Sequence, residues 1–246
     1  SKNINIKRES LSLVVYGSTN LDFLQTDIKN KFSKYSITVN NIHIPFGQHR
    51  IQLSDQESDL RKCTPDLVVF FERLEDMGYT GGELSKNLRN SILGNWSEYL
   101  ESIEYARQCI PGLFFVSTII NIDSVKNKFL YDDESLLLTS FINELNKKLL
   151  EKIAVLPDVY LTDMSSLMSQ VGRIYAHPGK YWYLAGAPFS YAFAEAMSQR
   201  IIGSWLALRG KTSRVIILDL DNTLGGGIIG DDGLSGIQLG GSYPGN

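Results

Sequence analysis

Cysteine is almost missing from this chain: Cys63 and Cys109 are the only two in 246 residues. They lie far apart and fit no metal spacing, which excludes a zinc framework and a disulfide-stapled scaffold; two lone thiols suit a reducing compartment. Histidine is nearly as scarce, with only His43, His49 and His177. A positive surplus is missing as well. The formal charge is −3 at pH 7, and no basic stripe interleaves with aromatics, so no nucleic-acid partner is expected. The longest apolar stretch, around 110–120, is about half the roughly 20 residues that cross a bilayer. The opening SKNINIKRES has no apolar segment of a secretion signal, so the expected location is cytoplasmic, away from membranes. Repeats and low-complexity segments are absent. What remains is 43% hydrophobic and 21% charged residues, the composition of a globular protein with one large domain or two unequal ones.

Short apolar runs alternate with longer amphipathic stretches. LSLVVYG (11–17) predicts a buried strand. Residues 20–35 predict a helix, because Leu21, Leu24, Ile28 and Phe32 recur at helical spacing. SITVNNIHI (36–44) is β-branched and alternating, hence a strand; PFGQHR then breaks the pattern as a loop. DQESDLRK is a short polar helix candidate. DLVVFF (66–71) is continuously apolar, as in a strand covered on both faces. A helix over 84–108, a strand over 113–120, a helix over 132–156 and a strand over 158–163 follow. The second of those helices opens with acidic residues and carries lysines toward its end, matching the helix dipole. The segment HPGKYWYLAGAPFS (177–190) predicts a loop before a final helix over 191–209. Five strands alternating with helices imply an α/β fold: a flavodoxin-like three-layer sandwich around a mostly parallel sheet. The polar RGKTSR (209–214) marks the domain boundary, giving units 1–209 and 210–246.

The second unit opens with VIILDLDNTLGGGIIGDDG (215–233). An apolar strand runs into two carboxylates, Asp219 and Asp221. Two residues apart on an extended segment, they point to one side, at the carboxyl end of a strand, where α/β folds bind ligands. That spacing suits phosphoryl transfer. One carboxylate attacks phosphorus or helps to hold Mg²⁺, and the other exchanges protons with leaving group and water. Mg²⁺ would neutralise the phosphate charge that repels both. Thr223 steadies the loop through its hydroxyl. A bare Asp-x-Asp is also what a solvated turn after a strand looks like; the apolar run before it and Asn-Thr-Leu after it favour the active-site reading.

These residues resemble the first motif of the haloacid dehalogenase (HAD) superfamily. The longer ILDLDNTLGGGIIGDDGLSGIQLGGSYPGN is similar to its FkbH-like branch, with Gly225 where that branch has Trp and Asp231 where it has Glu. IPFGQHR, LPDVYLTD and YWYLAGAPFS are similar to the N-terminal region of the same family. The resemblance implies an enzyme that draws a glyceryl unit from 1,3-bisphosphoglycerate, removes phosphate, and loads the unit onto an acyl carrier protein in polyketide-type biosynthesis in bacteria. Asp219 would be nucleophile and Mg²⁺ ligand, and Asp221 the acid/base and second ligand. The later HAD motifs do not occur in these 246 residues, so this chain alone is expected to be inactive in that chemistry. It is read as an SGNH-like domain followed by the first strand and flap of a HAD-like Rossmannoid domain. An apolar strand at 215–220 outside its own sheet is expected to add to another sheet or promote self-association.

The family's N-terminal region resembles the SGNH hydrolase fold, and VVYGSTN places Ser18 and Asn20 where that fold carries its nucleophile. A working site needs Ser activated by His beside oxyanion donors. This chain has Gly-Ser-Thr where the pattern has Gly-Asp-Ser, and YLAGAPFS lacks the Asp-x-x-His block. His177 is the one stand-in. Ser18 is therefore read first as a helix cap, with esterase chemistry as the alternative and a non-catalytic carrier-docking module as a third possibility. Gly47, Gln48, His49 and Arg50 form either an ordinary or a ligand-contacting loop, in which Arg50 would meet a phosphate or carboxylate. Thr223, Ser18, Asn20 and Arg50 are the candidate substrate contacts. Tyr181, Trp182, Tyr183 and Phe189 are expected to pack in the core or a domain interface. Cys63 and Cys109 match no acyl-accepting motif and read as small packed side chains.

Overall fold

The computed structural model describes residues 9–42, 64–120 and 133–212, with isolated positions 44, 55, 57 and 62. Residues up to Trp205 group as one compact unit and those from Leu206 as a second. Strand β1 (Glu9–Tyr16) leads to helix α1 (Asp22–Ser33) and strand β2 (Ile37–Asn41). Strand β3 (Leu67–Phe70) precedes a single 3₁₀ turn (Glu75–Met77), the long α2 (Lys86–Cys109) and β4 (Leu113–Ser117). Helix α3 (Asp133–Ile153), β5 (Val159–Thr162), and three short helices follow: α4 (Met164–Val171), α5 (Arg173–Ala176) and α6 (Lys180–Ala185). Helix α7 (Tyr191–Leu208) is the last described element.

The strands lie in the order β2-β1-β3-β4-β5, and every neighbouring pair is parallel. This is the expected α/β sandwich. Parallel neighbours require crossovers, and helices on both faces make the inner strands apolar throughout. All four residues of β3 and all five of β4 are buried. Edge strand β2 alternates instead, with Ile37 and Val39 inward. On one face Val14, Tyr16, Val68, Phe70, Phe114 and Val116 share a cluster with the buried stripes of α2 and α3. Their alternates Leu13, Leu67, Val69 and Phe115 are buried as well. Helix α1 buries Leu24, Ile28 and Phe32, the spacing read from sequence, and Phe32 meets Trp205 of α7 edge to face at 5.2 Å.

Two polar ties hold this packing. Asn146 of α3 pairs its side-chain amide with both the N–H and the carbonyl of Ile119 at 2.8 Å, fixing the chain just beyond β4. Asp27 of α1 is buried and accepts from Lys31 Nζ, from Ser198 Oγ and, at 3.0 Å, from Tyr191 Oη. Burial by itself would raise its pKa. The hydrogen bonds from Lys31, Ser198 and Tyr191, with the Lys31 charge, outweigh burial and hold the carboxyl below the usual range.

The expected elements that fall within the described residues recur with bounds shifted by a few residues: β1 starts at Glu9, before the expected 11, and β2 ends at Asn41, before the expected 44. Three short helices depart from the expectations. Asp163, assigned to a strand end, instead caps α4, accepting from Ser165 and Ser166 N–H at 2.9 and 3.2 Å. Gly172, at φ 85°, ends α4 and lets α5 start in a new direction. The predicted loop 177–190 contains α6, a six-residue helix too short for periodicity to reveal. The DQESDLRK helix falls outside the described residues apart from 55, 57 and 62, and most of PFGQHR and all of 215–233 lie outside them too.

Asp27→Ala should destabilise the first unit by about 2 kcal/mol, because three donors lose a charged acceptor. The sign of its pH dependence follows from the lowered folded pKa. The contribution is present above the unfolded value near 3.9 and is lost as pH falls through the folded value. Urea midpoints of parent and variant should differ at pH 7 and converge in acid; a gap that persists at pH 2 would contradict this assignment.

Candidate functional site

In a sheet of this order the connections diverge between β1 and β3, and the crevice outside their carboxyl ends is where such folds bind ligands. Backbone from the two strands meets tightly there. A Cβ placed on Gly17 would stand 2.7 Å from the Phe71 carbonyl and 2.6 Å from Leu21 Cδ1. Only glycine allows that approach without a shift of backbone.

Ser18 follows Gly17, and its Oγ donates to Glu72 Oε1 at 3.3 Å. Ser18 does not cap α1, which corrects that expectation. The side chain of Asn20 accepts from the Asp22 N–H at 2.9 Å at the start of the helix, in the geometry of an Asx turn. Asn20 also donates to the far side of the crevice, from Nδ2 to the Ala185 carbonyl at 3.1 Å and from its N–H to the Gly186 carbonyl at 3.2 Å.

Beyond Glu72, Arg73 makes a bidentate pair with Asp76, from Nε at 3.0 Å and Nη2 at 2.6 Å, with side chains 10% and 7% exposed. Its guanidinium lies 4.1 Å from the Trp182 ring centroid, a cation–π contact that pins α6 to the β3 loop. Nδ1 of His177 meets the Pro188 carbonyl. A carbonyl only accepts, so Nδ1 carries a proton. His177, Glu72, Arg73, Thr118, Phe71 and Phe189 face a common cavity with about 10 Å³ of room, on the scale of one water. A serine, a carboxylate and a histidine thus gather at the crevice, with Ser18 hydrogen-bonded to the carboxylate.

Of the aromatic set, Phe189 is buried against Phe71 and Phe193, and Tyr181 meets Phe23 edge-on at 5.8 Å. Tyr183 is 88% exposed and so does not pack in the core. Asp219, Asp221, Thr223, Gly47, Gln48, His49, Arg50, His43 and Cys63 lie outside the described residues; Cys109 is exposed at the end of α2, not packed as expected. Among the described residues no cluster of three or more His, Cys, Asp or Glu could hold a metal, and no helix is long and apolar enough to cross a membrane. Sequence reading missed Glu72, Arg73 and Asp76. The available signal was a run of charged residues straight after a wholly apolar strand, at the end where ligands bind.

A parallel 2-1-3-4-5 sheet with a serine after β1 and a histidine before the final helix defines an SGNH-hydrolase-like α/β domain. The family model of the FkbH N-terminal domain matches residues 12–204, and the chain belongs to that family. It is similar in fold to the N-terminal part of the protein BF1531 from Bacteroides fragilis, which contains a phosphatase domain and is complexed with Mg. The TM-score is 0.74 at 22% identity, over 95% of this chain and 61% of that one. The chain thus spans less than two thirds of that structure's length. A GDSL-like lipase from Parabacteroides merdae is similar at TM-score 0.50 and 14% identity, over 83% of this chain and 98% of that one. No curated protein matches the chain.

Arg73→Ala should cost about 3–5 kcal/mol by stranding the Asp76 carboxylate in a nearly closed site. The double variant Arg73→Leu/Asp76→Leu should recover most of that loss. Chemical denaturation of both variants tests this; equal losses would show that the ion pair is not what the site depends on.

Proposed function

We propose that this chain is the N-terminal part of a Mg²⁺-dependent FkbH-like enzyme. Such an enzyme takes a glyceryl unit from 1,3-bisphosphoglycerate, removes phosphate and loads the unit onto an acyl carrier protein. The observation that carries this reading is the family match over 12–204 followed at once by the Asp-x-Asp-Asn-Thr motif. The Asp219 carboxylate attacks the phosphorus of the C3 phosphate ester and Asp221 protonates the departing C3 oxygen, while loading is attack of the carrier thiol on the C1 acyl carbon with the C1 phosphate as leaving group. Water, deprotonated by Asp221, then attacks the aspartyl phosphate to release phosphate and restore Asp219. Both carboxylates are hard oxygen donors suited to Mg²⁺, which would neutralise the phosphate charge.

On this reading the SGNH-like unit positions partners and does not turn over esters. Ser18 bonds to Glu72, and a carboxylate is an intrinsically weaker base than the imidazole that activates such serines. The nearby cavity holds about 10 Å³, far below the hundreds of cubic ångströms of typical ligand pockets. The esterase reading keeps one observation in its favour, the placement of Ser18 at the switch point.

The complete enzyme should load a carrier protein from 1,3-bisphosphoglycerate, read by intact-protein mass. Asp221→Asn should slow release of the C3 phosphate by about 10²–10⁴-fold, while Ser18→Ala should stay within about 2-fold of the parent, a change of under about 0.5 kcal/mol. Loss of loading with Ser18→Ala, with C3 phosphate release unslowed by Asp221→Asn, would overturn the proposal.

A further inference from the structure

We propose that residues 178–187, which carry α6, form a strap across the mouth of the crevice between β1 and β3, and that this strap opens as a unit on a fixed neck. The neck is two hydrogen bonds across the base of the segment. Nδ1 of His177 donates to the Pro188 carbonyl, and the Ser190 N–H donates to the Ala176 carbonyl at 2.8 Å. Ala176, Phe189 and Ser190 are buried, so the neck is rooted in the core. A short excursion whose ends are tied together is an Ω-loop, a compact surface loop that frequently carries function.

Away from the neck, the strap touches both lips of the crevice. On the β1 side, Asn20 donates to the carbonyls of Ala185 and Gly186 at 3.1 and 3.2 Å. Phe23 of α1 meets Tyr181 edge to face. On the β3 side, Trp182 lies against the Arg73 guanidinium. One short helix thus bridges the two chain ends between which the crevice opens. The Ser18–Glu72 hydrogen bond joins the same two chain ends at positions nearer the strands.

The strap is attached but not packed. No residue of α6 is buried, whereas α1 and α2 bury whole stripes. Lifting it breaks two hydrogen bonds, one cation–π contact and one ring contact, each weak by itself, and uncovers no core side chain of α6. Segments with few buried apolar contacts open separately, well before the whole domain unfolds. Gly179 and Gly186 bracket the helix as pivots. Gly186 stands at φ 62°, and a Cβ there would meet nothing within 4 Å, so the backbone conformation alone calls for glycine. Closed, the strap leaves room for about one water in the cavity beside Glu72 and His177. Open, it gives small polar molecules a path to Glu72, which is 4% exposed.

Hydrogen exchange of the 246-residue chain, paired with carbodiimide–amine labelling of Glu72 read by peptide mass, tests the strap. The Gly186 and Ala187 amides bond within the strap, to the Trp182 and Tyr181 carbonyls. They should exchange about 100-fold faster than the Ser190 amide of the neck, or more, at rates that low urea leaves unchanged. Labelling of Glu72 should share that flat dependence on urea. Asn20→Asp keeps an acceptor for the Asp22 N–H and removes the donor to Ala185. It should raise strap exchange and Glu72 labelling together, by about 10-fold. Trp182→Leu leaves the Arg73–Asp76 pair in place and should raise both by about 3-fold. Strap amides that exchange as slowly as Ser190, and accelerate with urea as it does, would show that nothing opens separately. Glu72 labelling that follows Ser190 in place of the strap would show that the strap does not gate the crevice. Either result would overturn the proposal, as would unchanged strap exchange and labelling in both variants.

Discussion

An all-parallel sheet covered on both faces is the constraint on which this domain depends. Parallel strands cannot be joined by tight turns, so each crossover must travel the length of the sheet, and helices do so while satisfying their own backbone. That requirement buries β3 and β4 on both sides. It also collects the chain segments leaving the carboxyl ends of the strands along one edge. The crevice between β1 and β3 is a consequence of strand order, whatever the side chains there do.

The side chains at that edge have been spent on joining loops to one another. Gly17 lets the ends of two strands touch, Asn20 reaches across to α6, and Arg73 binds Asp76 below and Trp182 above. Ser18 is held by Glu72. A catalytic serine in this fold would need a base and room for an acyl group. The described crevice supplies a carboxylate partner, and the adjoining cavity under Glu72 and His177 has space for about one water. Under the proposed division of labour, chemistry belongs to Asp219 and Asp221, and the SGNH-like unit supplies a surface.

Much of the fold was legible because burial on both faces writes continuous apolar runs, as at 66–71 and 113–120, and helical burial writes a period, as at Leu24, Ile28 and Phe32. The region 164–190 was not legible. Helices of four to eight residues complete too few turns to show a period, and they are broken at Gly172 and again at 177–179. The crevice was half legible. Ser18 could be placed from the end of β1, but its partner could not, since Glu72 lies 54 positions away and only strand order brings them together. The exposure of Tyr183 was hidden for the same reason: an aromatic in an aromatic cluster reads as core until its neighbours have positions.

The central claim is that a serine at the expected place in an SGNH-like crevice is structural here. A fluorophosphonate probe reads this directly through the intact mass of the chain, with and without Ser18→Ala. The account predicts no adduct on the parent chain between pH 6 and 9, the range that deprotonates an ordinary histidine. A stoichiometric adduct that Ser18→Ala abolishes would contradict it.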